Sequence, residues 1–462
     1  MPIFYFLYMS MRKSPHPINN ILFFFQEVRS TMCKKIFALC LAAIMVCSLF
    51  ALAGCKNGDD TATTTGSQKT DATGDNETVD YSDIKIGFIF LHDDKSTYDL
   101  NFMNAAKEVQ QTLGLSDDQV IFKYPVDESS ACYDAAADLA DQGCNIVFAD
   151  SFGHEAFMIQ AAKEFPDVQF CHATGTKAHT EGLSNYHNAF ASIYEGRFLA
   201  GIAAGMKLNE MIDAGTISAE QAVMGYVGAF PYAEVVSGYT SFFLGARSVC
   251  PSVTMMVDFT GSWYSVDSER DVANSLMDKG AVLISQHADS MGAPSACEAR
   301  NVPNVSYNGS TVESCPNTFI VSSKINWAPY FEYIINCVAK DETIATDWTG
   351  TLATGSVVLT EINEKAAAAG TKEAIEAAIE KLEKGEIKVF ATDTFTVSGA
   401  NVTDNMTVDE EGHITAYKAD VDDMGDFVPE TDVVSDGCFQ ESEKRSAPYF
   451  DINIDGITRL DK

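Results

Sequence analysis

The chain predicts an α/β fold of two doubly wound, Rossmann-like lobes, and three observations carry that expectation. Short, nearly continuous apolar runs such as Ile84-Lys85-Ile86-Gly87-Phe88-Ile89-Phe90-Leu91 recur along it, separated by stretches of helical length. Runs of this kind are strands buried on both faces, the habit of a parallel sheet covered by helices. The alternation then starts afresh at Val223-Met224-Gly225-Tyr226-Val227-Gly228. The chain has 462 residues, 46% of them hydrophobic, enough for two cores.

In the first set, the strand at 84–91 is followed by a helix over 100–113. Strand 120–124 precedes helix 130–142, and strand 145–150 precedes helix 155–164. Strand 168–172 and a short strand near 186–191 come next. A helix over 193–211 carries Gly201, Ala203, Ala204 and Gly205, small residues that permit close packing. In the second set, strand 223–228 leads to helix 234–248, strand 253–259 to helix 267–279, and strand 281–285 to helix 293–299. Strands at 305–307 and 318–322 and a helix over 327–340 complete it. A solvated amphipathic helix over 371–384 and a β-rich acidic tail follow. The expected organisation is lobe 1 over 84–215, lobe 2 over 216–325, and a cross-over helix and C-terminal segment over 326–462 that completes both. Ligands of such folds sit at the carboxyl ends of the strands.

Ahead of the lobes, Lys34 and Lys35 stand beside a start-capable Met32, and an uncharged, mostly apolar run extends from Ile36 to Ala53. This charge–apolar–small layout is that of a secretory signal over 32–54. The run is about 18 residues, the length at which a spanning helix is the alternative. Its ending, Leu52-Ala53-Gly54-Cys55, resembles the bacterial lipobox, in which the cysteine is acylated after cleavage. Cys55 is thus the expected lipidation site, tethering a soluble domain outside the cytoplasmic membrane. Residues 1–31 read as an over-extended start, or else as an unusually long leader. Residues 55–83 hold the lipidated cysteine and a linker poor in apolar side chains, which cannot offset the entropy of ordering.

The formal net charge is −34. Residues 1–54 hold five Lys/Arg and one Asp/Glu, a net of +4, so the remainder carries −38. Such a surface repels phosphate backbones and argues against nucleic acid as a partner. Of the twelve cysteines, Cys132, Cys144, Cys171, Cys250, Cys297, Cys315, Cys337 and Cys438 follow Cys55. They show no C-x-x-C or zinc spacing and read mostly as buried free thiols, with Cys297–Cys315 a weak candidate pair.

No Gly-x-Gly-x-x-Gly follows the first strand, and no Walker A loop, Gly-x-Ser-x-Gly elbow or His-Glu-x-x-His is present. His287 and Asp289 lie two apart at a strand end, a spacing open to a general base or half a metal site, but no nucleophile or further ligand accompanies them. No catalytic residue, metal or cofactor is therefore expected. The strand ends are instead rich in aromatic and neutral polar groups: Tyr98, Ser151-Phe152, Phe230, Trp263-Tyr264, His287, Asn308 and Trp327. Such a set, together with Asp289, suits a flat heteroaromatic ligand held between rings and read at its edge by amide, carboxylate and imidazole groups. Any single ring can equally be core. Glu234 could accept from an amino group or complement a helix dipole. Glu195 and Arg197 suit a structural ion pair.

His172-Ala-Thr-Gly175, Tyr194-Glu-Gly-Arg-Phe-Leu-Ala-Gly201, Gly225-Tyr-Val-Gly-Ala-Phe-Pro231, Leu244-Gly-Ala-Arg-Ser248, Ser262-Trp-Tyr264, Gln286-His-Ala-Asp-Ser290 and Asn326-Trp-Ala-Pro-Tyr330 resemble the basic membrane protein family, lipid-anchored solute-binding components of ABC importers. The resemblance is close over residues 84–340. It implies the type I periplasmic binding protein fold, two lobes joined by hinge strands that close on ligand, and it implies a purine nucleoside or base held between two rings. By position Tyr98 resembles the first-lobe stacking aromatic and Trp263 the second-lobe one. Asn308 stands where nucleoside-binding relatives carry a ribose-binding aspartate, and an amide is the weaker acceptor for ribose hydroxyls, so a free base stands beside a nucleoside as ligand. The expected function is a lipid-anchored receptor that hands a purine-type solute to an ABC transporter permease. The alternatives are a receptor for another small polar solute such as a sugar, and an extracytoplasmic nucleoside-processing enzyme.

Overall fold

The computed structural model describes residues 79–402, 418–419, 421 and 431–461. The expected signal, Cys55 and most of the linker lie outside the described residues. Order begins earlier than expected, because Tyr81 is already docked. Its hydroxyl donates to Asn336 Oδ1 at 2.8 Å, and its carbonyl accepts from Gln119 Nε2 at 2.7 Å. Among the described residues no helix is long and apolar enough to cross a membrane.

The first set of units runs β1 (Ile86–Ile89), α1 (Thr97–Leu113), β2 (Val120–Lys123), α2 (Ser130–Asp141), β3 (Ile146–Ala149), α3 (Glu155–Glu164), β4 (Gln169–Ala173), a single turn α4 (Ala178–Glu181) and β5 (Tyr186–Ala191). All four residues of β1 and of β3 are buried, as their unbroken apolar runs require. α1 starts where Ser96 accepts from the Asp99 amide and stops at Gly114, whose φ of 70° is left-handed and costs a glycine nothing.

Helix α5 (Ile193–Asp213) leads to β6 (Val223–Gly228), α6 (Ala233–Val249), β7 (Thr254–Phe259), α7 (Val266–Asp278), β8 (Leu283–His287), α8 (Gly292–Arg300), β9 (Asn304–Tyr307) and β10 (Phe319–Ile325). The chain then returns with α9 (Ala328–Ala339) and β11 (Asp347–Gly350), crosses again to β12 (Val357–Leu359), and continues into α10 (Thr371–Glu383).

Two sheets result, with strand orders β11-β5-β4-β3-β1-β2 and β12-β10-β9-β8-β6-β7 followed by Ile457–Arg459. Every pairing is parallel except that of β12 with β10. The doubly wound expectation therefore holds in both sheets. The chain passes between them after β5, after β10 and after β11, three strands of backbone side by side that can act as a hinge. Polar ties mark this seam, among them Asn101 Nδ2 of α1 donating to the Ile325 carbonyl at 2.5 Å.

α5 and α6 pack backbone to backbone. A Cβ on Gly201 would strike the Phe242 carbonyl, and one on Gly245 the Phe198 carbonyl. The eight described cysteines are free thiols, seven of them buried. The candidate pair Cys297–Cys315 is corrected accordingly: both sit in the interior as small apolar side chains, and burial pushes the Cys315 thiol up to about 11.

Candidate functional site

The carboxyl ends of both sheets face one narrow cavity. From the first sheet it is lined by Leu91 and His92 after β1, Tyr98 and Asp99 in the first turn of α1, Ser151 and Phe152 after β3, and Thr174 after β4. The second sheet contributes Glu234 at the start of α6, Trp263 after β7, His287 and Asp289 at and after β8, and Tyr307 at the end of β9. A strand that ends in a βα turn leaves its last side chains facing outward, which is why every contributor is a strand end or a helix start.

On the first-lobe wall, Tyr98 donates its hydroxyl proton to the Asp150 carbonyl at 2.8 Å and lies edge-on to Phe102, ring centroids 4.8 Å apart. Two anchor points thus fix its ring. Ser151 Oγ donates to Glu128 Oε1 at 2.6 Å. Beneath them sit two carboxyls. Asp99 accepts from the His92 amide at 2.7 Å and from Ser96 Oγ at 2.5 Å. Burial works against its charge, but these bonds hold its carboxyl below the usual range. Asp150 is pushed well up, first by burial and then by the Asp99 charge. Its Oδ1 accepts from the Leu91 amide at 3.2 Å while Oδ2 has no partner. His172 is fully buried, with Nε2 2.7 Å from the Ser151 carbonyl, and burial lowers it to about 4. It is neutral and donates from Nε2, holding the Ser151–Phe152 turn in place.

On the second-lobe wall, Trp263 is half-buried and lies edge-on to Phe230 at 5.2 Å. Its carbonyl accepts from the Asp289 amide at 2.9 Å, which ties the two turns together. His287 Nε2 stands 3.2 Å from Glu234 Oε1. Burial lowers His287 to about 4, so the ring is neutral and donates to the glutamate. Asp289 is pushed well above the usual carboxylate range, chiefly by burial and then by the charges of Asp99, Glu269 and Glu234.

Seven of the eleven expected binding residues line this cavity: Tyr98, Ser151, Phe152, Glu234, Trp263, His287 and Asp289. Four do not. Trp327 is 1% exposed and stacks on Phe102 at 4.5 Å inside the first-lobe core, so its size serves packing. Phe230 backs Trp263 from behind. Tyr264 faces His92 of the other lobe, rings 5.4 Å apart. Asn308 is buried at a left-handed φ of 64°, its amide donating to the Ser323 carbonyl, and Tyr307 takes the place at the cavity. The expected Glu195–Arg197 ion pair is also corrected. Glu195 accepts from the Leu352 amide at 2.8 Å at the hinge. Arg197 is buried under the site, donating to the Gln286 carbonyl at 3.1 Å, with its guanidinium 3.4 Å from the Tyr307 ring centroid.

Leu91, His92, Asp99, Thr174 and Tyr307 were not among the expected site residues. Their signal was position alone: each lies at or within a turn of a strand end. Among the described residues no group of three or more His, Cys, Asp or Glu side chains could hold a metal ion.

A family model described as an ABC transporter substrate-binding protein, PnrA-like, matches residues 92–392, more than half of the chain. A purine-binding protein of Brucella abortus is 32% identical over 251 residues, 54% of this chain and 67% of that one. A putative ABC transporter glucose-binding protein of Haloferax volcanii is 30% identical over 54% of this chain and 60% of its own length. Solved ABC transporter solute-binding proteins from Conexibacter woesei (TM-score 0.53, 19% identity, 66% of this chain and 98% of that one) and Aeropyrum pernix (TM-score 0.55, 16% identity, 66% and 93%) share the fold.

Proposed function

The chain belongs to the Bmp family of PnrA-like ABC transporter substrate-binding proteins, and from that premise we propose that it is a lipid-anchored extracytoplasmic receptor for a purine base or nucleoside. The observation that carries the ligand class is a single cavity with aromatic faces from both lobes, Tyr98 and Phe152 on one side and Trp263 on the other. Flat heterocycles stack on such rings at about 1–3 kcal/mol per base. The purine-binding relative supports the same class.

In this reading the ligand enters an open cleft, stacks on one wall, and stabilises the closed form by touching both. The closed receptor then presents the solute to an ABC permease. Cys55 carries the lipid that keeps it at the membrane, and a Cys55→Ala protein is expected in the soluble fraction rather than with the membranes. No chemical step on the ligand is part of this function, so incubation with nucleosides should leave no new product peak.

A sugar is the second reading, favoured by the putative glucose-binding relative and by the carboxylates in the cleft. A thermal-shift panel of adenine, guanine, hypoxanthine, their ribonucleosides, ribose and hexoses separates the two, because a ligand that binds the native state raises the melting point by mass action. Shifts with purines are expected. A sugar shift without any purine shift would keep the fold and overturn the ligand class.

A further inference from the structure

The polar groups of the cleft are lopsided. Three hydroxyls line it, and each already gives its proton to the protein: Tyr98 to the Asp150 carbonyl at 2.8 Å, Ser151 to Glu128 at 2.6 Å, and Thr174 to the Ala173 carbonyl at 2.6 Å. What they offer a ligand is lone pairs. The Tyr307 hydroxyl is enclosed in protein. No lysine or arginine lines the cavity, and the guanidinium of Arg197 lies against the Tyr307 ring, outside the lining. Among the lining side chains this leaves as donors the Trp263 indole, the His92 ring, whose Nδ1 already stands 3.4 Å from Asp99 Oδ2, and the proton that burial keeps on Asp289.

Acceptors dominate the other side. Asp289 is only 5% exposed and lines the cavity, and its carboxyl makes no hydrogen bond among the described residues. Glu234 engages Oε1 with His287 and keeps Oε2. A buried acceptor that loses water without gaining a donor costs about 1–3 kcal/mol, more when charged. A ligand that fills this cleft must therefore bring N–H or O–H bonds to Asp289 and Glu234. An anion placed there would meet the carboxylates of Asp99 and Glu234 in a region screened from solvent.

From this arrangement, and resting on the purine reading above, we infer that the cleft selects an amino-substituted purine, whose exocyclic and ring N–H groups are taken by Asp289 and Glu234, and rejects oxopurines and anionic forms such as nucleotides. A carbonyl oxygen at the position of an amino group would face the lone pairs of Glu234, whereas Asp289, whose proton burial retains, can donate as well as accept. Glu234 is then the specificity-determining residue, while Tyr98, Phe152 and Trp263 supply stacking that every purine shares.

The test is calorimetric titration of the purified protein at pH 7.5 with adenine, 2,6-diaminopurine, hypoxanthine, xanthine and AMP. Adenine and 2,6-diaminopurine should bind at least tenfold tighter than hypoxanthine, with xanthine and AMP weaker still. In a Glu234→Gln variant of unchanged melting temperature, adenine should lose at least tenfold and the gap to hypoxanthine should narrow, since an amide can donate to a carbonyl. A merely structural role for Glu234 would weaken all purines alike. Hypoxanthine or xanthine binding the wild type as tightly as adenine would overturn the inference and leave the purine reading standing. Binding of none of the five, nor of their ribonucleosides, would overturn the purine reading and the inference with it.

Discussion

Trp263 presents a half-buried ring to the cavity and is held there by Phe230 behind it and by the Asp289 amide on its carbonyl. Its orientation is thus set by the protein, so its face is available to a ligand at little entropic cost. Trp263→Ala should weaken purine binding by about 1–3 kcal/mol, read by titration, and an unchanged affinity would remove it from the site. Glu441, which is not among the residues lining the cavity, gives a second residue-scale prediction. It is 4% exposed, its Oε2 accepts from the Tyr449 amide at 3.2 Å, and its Oε1 has no partner. Burial raises its carboxyl to about 7. A carboxyl whose folded pKa exceeds its unfolded value holds its proton longer in the native state, so its contribution is complete at low pH and is lost as pH rises from about 4.5 to about 7. Glu441→Gln removes that loss. Its unfolding free energy should gain on the wild type across this window, levelling off above pH 7 at about 3 kcal/mol. A gap that stays constant with pH would refute the assignment. At this scale the sequence was informative about kind and poor about direction. Trp327 and Trp263 both follow strands, yet one stacks on Phe102 in the core and the other lines the cleft. Only the neighbours a side chain meets in three dimensions decide between them. Tyr307 and Asn308 are one residue apart, and strand alternation with a left-handed turn chose the first.

The helices α5 and α6 show what was legible at the scale of elements. Gly201, Ala203, Ala204 and Gly205 in one stretch announced a close helix contact, and the structure supplies the partner, which carries Gly245. The apolar strands were equally plain: a run with no polar alternation has no solvent-facing side, so it has to be the middle of a covered sheet. Less visible were the returns after β10, because β11 joins the first sheet while β12 and Ile457–Arg459 join the second. Sequence pattern marks a strand but not its neighbour. The glycine contact yields a prediction of its own. A methyl group at Gly201 or Gly245 meets backbone carbonyl oxygen, which cannot rotate out of the way as a side chain would. Either Gly→Ala change should therefore force the helices apart and cost about 1–3 kcal/mol or more in urea unfolding. Gly114→Ala makes the comparison: nothing lies near its missing Cβ, so any cost there comes from φ alone. A loss at Gly201 no greater than that at Gly114 would show that the helices can move apart freely.

The molecule as a whole is described with its lobes in contact. Thr97 at the head of α1 donates its amide and its hydroxyl to the Asp289 carbonyl at 3.0 and 3.3 Å. Phe152 of the first lobe stacks on Tyr232 of the second, centroids 5.5 Å apart and planes within 30°, and His92 meets Tyr264 at 5.4 Å. Tyr232 does not line the cavity, so its ring holds the lobes to each other and not to a ligand. A contact that exists only in the closed form adds to the closed state and leaves the open one unchanged, and a ligand trapped inside must wait for it to break. An aromatic pair is worth about 0.5–1.5 kcal/mol beyond its buried area. Tyr232→Ala should therefore speed ligand release about 2- to 10-fold while the association rate, which reports entry into the open cleft, stays within error of wild type. Stopped-flow tryptophan fluorescence reads both constants. Trp263→Ala acts differently, because a lost stacking face weakens capture and retention together. If Tyr232→Ala left the release rate unchanged, the Phe152–Tyr232 contact would be incidental to closure, and the Thr97–Asp289 bonds and the His92–Tyr264 contact would carry the lobes' grip.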